Sequence, residues 1–117
     1  MGTWGPGNFE NDSALDMVGG VLDVATVEIE AFRVSDRVGI DDLDQVVACI
    51  AIHLALHEHC DARPPEADVA RAVHEKVLRI FDDKIDLLKP KPEHKTARRA
   101  VLERTLDAYV RASDEDA

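Results

Sequence analysis

From Asp12 to Arg33 the apolar residues Leu15, Val18, Leu22, Ala25, Ile29 and Phe32 follow one another at alternating intervals of three and four. That spacing lines one face of an α-helix and predicts a first helix with one buried stripe. Asn11, Asp12 or Ser13 can cap its start, because a short polar side chain accepts a backbone N–H that the first turn leaves unpaired. Ser13 with Asp16 has the spacing of a loose capping box. Gly19-Gly20 interrupts the helix at about 1 kcal/mol per glycine relative to alanine. The pair predicts a kink or a close crossing with another helix.

A second helix is expected from Asp41 or Asp42 to Cys60. Leu43, Val46, Val47, Ile50 and Leu54 make one stripe, and Cys49, Ile52, Ala55 and Leu56 cover much of the other side. A helix apolar all round must be covered all round, at the centre of the fold or in a dimer interface. "DARPP" breaks the chain. A third helix then runs from Pro65 or Glu66 to about Leu88, with Val69, Ala70, Val73, Val77, Ile80, Phe81, Leu87 and Leu88 in its stripe. Lys84 falls in that stripe. A buried lysine can act as a base or nucleophile, but the favoured reading near a helix end is a packed stem with its ammonium in water. After "KPKP" a fourth helix spans Glu93 to Ala112, carrying Val101, Leu102, Leu106, Tyr109 and Val110, and residues 113–117 read as a disordered tail. No strand-like alternation occurs. The expected fold is all-α: one compact four-helix bundle-like domain over residues 1–117, with residues 1–11 as a Gly/Pro/aromatic arm packed on it.

Composition narrows the functional classes. Aromatic residues are only 4% of 117, so the core must be aliphatic. The formal net charge is −10, and residues 1–60 hold eleven acids against two bases. Such a chain repels phosphate backbones and anionic lipid, so nucleic acid and membrane are not expected partners. No apolar run reaches about 18 residues. Cys49 and Cys60 would lie about 16 Å apart on one helix, too far for a disulfide. With no secretory signal, a reducing, cytoplasmic setting is expected.

The strongest chemical candidate is "ACIAIHLALHEHCD". His53 and His57 are one helical turn apart and Cys60 follows three residues later, so the three could hold zinc with an open fourth position. Cys49 is too distant to share a metal with Cys60. The His-Glu-x-x-His protease pattern is absent, and the competing reading is a polar seam with His53 hydrogen-bonded in the core. Asp16, Asp23 and Glu30 recur every seven residues, a row read as a solvated face. "KPKPEHKTARR" is a basic cluster without interleaved aromatics. No nucleophile elbow, phosphate loop or dinucleotide fingerprint is present.

The start "TWGPGNFENDSALD" carries Trp4, Gly5, Gly7, Phe9, Asn11, Asp12, Ala14 and Asp16 in an arrangement that resembles a bacterial family named domain of unknown function 4259. The resemblance implies no activity. Physically the motif reads as a clasp: a Gly-Pro-Gly turn, two buried rings (Trp4 and Phe9) and a helix cap. Its functional alternative is a pocket lined by Trp4. The functional expectation is a non-catalytic protein-interaction domain, of immunity or antitoxin type in one concrete form, binding a basic protein. The alternatives are a homodimeric structural domain and a metal-dependent protein using His53, His57 and Cys60.

Overall fold

The computed structural model describes residues 5–115. It is an all-α bundle of four helices, with no strand among the described residues. Helix α1 spans Asp12–Val34, α2 Leu43–Cys60, α3 Ala67–Lys84 and α4 Pro92–Glu115. Helix α1 packs on α2 and α3, and α4 packs on α3 and α2. The result is a ring of helices, elongated to 55 × 29 × 24 Å.

The cap residues follow from their chemistry. Asn11 Oδ1 accepts the Ala14 N–H at 2.8 Å and starts α1. At the other end Lys76 of α3 reaches across and donates to the carbonyls of Phe32 (2.6 Å), Arg33 (3.2 Å) and Ser35 (2.5 Å). Two of these belong to the last turn, which has no intrahelical donors of its own. The ammonium also lies 5.0 Å from the Phe32 ring centroid. A short 3₁₀ turn, Ile40–Asp42, leads into α2. Asp61 ends α2 in the left-handed region at φ 58°, and the Ala62 N–H returns to the Leu56 carbonyl. Pro92 begins α4, where a missing N–H costs nothing.

The core is aliphatic, as the composition requires. Val18, Leu22, Ala25, Ile29 and Phe32 of α1 are all buried. On the other helices Ile50, Val73, Val77, Leu102 and Leu106 are fully buried, and Tyr109 is the largest fully buried side chain among the described residues.

Several expectations are corrected. Helix α1 runs unbroken through Gly19-Gly20, and a Cβ at either would meet nothing within 4 Å among the described residues, so neither glycine serves a crossing with another of the described helices. Helix α2 is open on one side at Ala48, Ala51, Ile52 and Ala55, because three of those four are small and leave little apolar surface to cover. Helix α3 stops at Lys84, and the backbone tightens into a 3₁₀ turn over Ile85–Leu88. That turn brings Ile85 inward, leaving Lys84 exposed and Leu87 and Leu88 71% and 56% exposed. The tail expected from 113 onward is helical through Glu115. Ser113 is buried and bonds to the Val110 carbonyl, and Asp114 pairs with Arg71 at 2.6 Å.

Candidate functional site

The chemically richest place is a cleft of about 320 Å³ between α1, α3 and the 61–66 link, with His53 of α2 and Tyr109 of α4 at its base. Periodicity puts both on inward faces: His53 follows Ile50 by three residues, and Tyr109 follows Leu106 by three. Their rings meet edge to face, 5.5 Å between centroids at 73°. The Arg63 carbonyl lies 3.0 Å from His53 Nε2 and can only accept, so Nε2 carries the proton. Nδ1 is then the acceptor for the Tyr109 hydroxyl at 3.2 Å. Burial holds His53 below the usual histidine range and pushes Tyr109 well above the usual phenol range. The neutral imidazole has both nitrogens committed, so it has no lone pair to offer a substrate proton. The dyad ties α2, α4 and the 61–66 link together.

The walls of the cleft are charged, with Glu30, Arg33, Arg63, Glu66 and Asp68 among the lining residues, and some of these are paired. Glu30 and Arg33 form a two-point ion pair, and Arg63 stands 3.7 Å from Asp23. These carboxylates belong to the Asp16, Asp23 and Glu30 row, all of it exposed. Elsewhere His74 pairs with Asp107 at 2.8 Å on the α3–α4 surface. The basic cluster is partly neutralised in the same way. Lys95 meets Asp86, Arg98 meets Asp44, and Arg99 meets Asp82 with two bonds.

The proposed metal trio is not assembled. Among the described residues no three His, Cys, Asp or Glu side chains come together as an ion-holding set. His53 spends its nitrogens on Tyr109 and Arg63, His57 Nδ1 lies 2.8 Å from the Ala62 carbonyl, and Cys60 is buried. The physical reason is the link after Cys60, which folds back along α2 and supplies backbone carbonyls where metal ligands would have to converge.

The part of the N-terminal motif that falls on the described residues departs from the expected clasp at Phe9. Trp4 lies outside the described residues. Phe9 is 43% exposed rather than buried. What packs instead is Glu10: Gly7 N–H donates to Glu10 Oε1 at 3.2 Å, and Glu10 N–H returns to the Gly7 carbonyl at 3.2 Å. A Cβ at Gly5 or Gly7 would collide with the Glu10 carboxylate, so these glycines make room for it. Asn11 acts as the helix cap and Asp12 occupies the first turn of α1.

One feature was missed by reading the inner stripe alone. Met17, Val24, Val27 and Val34 on α1 are between 64% and 69% exposed, and Val21 is exposed beside them. The signal was present in the chain, since these positions share a second helical face. On its α2 side this face is bordered by Glu28, which accepts from Gln45 at 3.0 Å.

A family model described as domain of unknown function (DUF4259) matches residues 2–117. The chain belongs to this family. No curated protein and no solved structure matches it. Membership in DUF4259 brings no activity with it, so the functional reading has to come from the surfaces just described. No helix among the described residues is long and apolar enough to cross a membrane.

Proposed function

We propose that this DUF4259 chain is a non-catalytic protein-interaction domain whose partner is basic. The observation that carries the reading is the outer face of α1, where Met17, Val24, Val27 and Val34 stand largely in solvent. Grouped exposed apolar side chains of this kind mark interaction surfaces. They lie in the half of the chain that holds eleven acids and two bases, a distribution that steers a basic protein toward it. An inhibitor that blocks a basic enzyme, as immunity proteins and antitoxins do, is one concrete form of this reading. The saturated hydrogen bonding of the His53–Tyr109 dyad supports a structural rather than a catalytic role for the most polar part of the interior.

The test is affinity capture from a native lysate of the source cells at low and at physiological salt, followed by quantification of the captured chains. A stoichiometric basic protein, held more tightly at low salt, is expected. Recovery of no partner under either condition would overturn the reading.

A further inference from the structure

The outer face of α1 carries a second register as regular as the buried one. Met17, Gly20, Val24, Val27, Ala31 and Val34 are separated by three, four, three, four and three residues, and all are exposed. An apolar row repeating every 3.5 residues on average is the seam along which one helix receives another. Asp16, Asp23 and Glu30 stand one position before Met17, Val24 and Ala31. The seven-residue period of those carboxylates is therefore the flank of this seam. Gly20 adds an opening in it: a Cβ there would touch none of the described residues, and the glycine lowers helix propensity without a packing reason among them.

We propose that this seam docks one amphipathic helix of a protein partner, with an apolar row bordered by lysine and arginine. The proposal rests on the protein-interaction reading and names its site and the chemistry of the occupant. The charges on the flanks decide against a second copy of this chain. No Lys or Arg occupies a seam or flank position, since the other flank carries Val21 and Glu28, and the two cations that reach the row, Arg33 at Glu30 and Arg63 at Asp23, come from beside it. An antiparallel second copy sets the carboxylate row against itself, and a parallel one brings Asp23 to Glu28. A helix with basic flanks instead meets Asp16 directly and competes with Arg63 for Asp23 and with Arg33 for Glu30, both exposed pairs, and its side chains can approach closely at Gly20.

The experiment uses two synthetic three-heptad peptides with the same Leu/Ile seam, one with Lys/Arg flanks and one with Glu flanks. Binding to the full chain is read by fluorescence anisotropy. The basic-flanked peptide is expected to bind and the Glu-flanked one to show no measurable binding. Val24→Asp is the decisive variant, because unspecific attraction to an acidic protein would grow with the added charge, whereas docking should weaken by roughly tenfold or more. The triple variant Asp16→Lys, Asp23→Lys, Glu30→Lys should reverse the peptide preference. Circular dichroism checks that both variants keep the helical fold. The proposal is overturned if Val24→Asp binds the basic peptide as well as or better than wild type, or if both peptides bind alike. Self-association of the wild type that Val24→Asp abolishes in sedimentation would also overturn it and assign the seam to a second copy. A captured partner that Val24→Asp retains in full would remove the seam while leaving the interaction reading intact. Failure to capture any partner would remove that reading and leave the seam's charge preference to stand on the peptide result.

Discussion

The two faces of α1 share one spacing and meet opposite fates. The inner row, Val18 to Phe32, is buried against the other elements, and the outer row, Met17 to Val34, stands in water. Spacing alone made both rows helical stripes, so spacing did not decide which one the fold would bury. Side-chain volume separates them: Leu22, Ile29 and Phe32 lie inside, whereas Gly20, Val24 and Ala31 lie outside. Larger apolar side chains gain more from burial, at about 25 cal/mol per Å² removed from water. The smaller row lost the competition for the core and kept its surface.

That contrast can be broken most strongly from the inside. Ile29→Ala should cost about 2–5 kcal/mol, the range for truncating a fully buried aliphatic side chain. Urea unfolding would show the midpoint falling without a large change in slope. Tyr109→Phe should cost about 1–3 kcal/mol, because it leaves His53 Nδ1 buried with no donor. The dyad also predicts a pH dependence. The fold keeps His53 neutral, while an unfolded chain takes up a proton near pH 6.5. Stability from this residue is therefore fully present above pH 6.5 and declines as pH falls toward the lower folded value. Thermal midpoints between pH 7.5 and 5.5 should drop less steeply in His53→Gln than in wild type.

The outer face should respond weakly or in the opposite direction. Gly19→Ala and Gly20→Ala should each stabilise the chain by about 1 kcal/mol, since the added methyl meets no neighbour. Calorimetry on the two variants would show similar gains, and a loss at either would mean that the outer face is covered. Val24→Ala should change stability by less than about 0.5 kcal/mol in urea, the range expected for an exposed position with no special role. A cost near that of Ile29→Ala would erase the distinction between the two faces.

Much of the architecture was legible in the sequence, and the helix boundaries were close for α1 and α2. Asn11 was among the residues named as caps and is the one that caps. The errors have identifiable causes. A 3₁₀ turn after Lys84 redirected the end of the third stripe, a change of backbone geometry that a 3.6-residue periodicity cannot express. The polar partners of His53 were hidden because one is a residue 56 positions away and the other a backbone carbonyl, and a carbonyl leaves no mark in the sequence. Lys76 was hidden for the same reason, since its three acceptors are carbonyls at the far end of another helix. The role of Glu10 was hidden in the same way, because its partners are the backbone N–H and carbonyl of Gly7.

Lys76 has a consequence for recognition. By gripping Phe32, Arg33 and Ser35 it fixes the C-terminal end of α1 to α3 in the unbound protein. A surface fixed in this way loses little conformational freedom when it is engaged. The ordering is completed during folding, so complex formation should proceed as rigid-body capture, with fast association and a small entropic penalty. Replacing Lys76 with methionine would let that end fray, and the change would show in the binding kinetics of a site the lysine never touches.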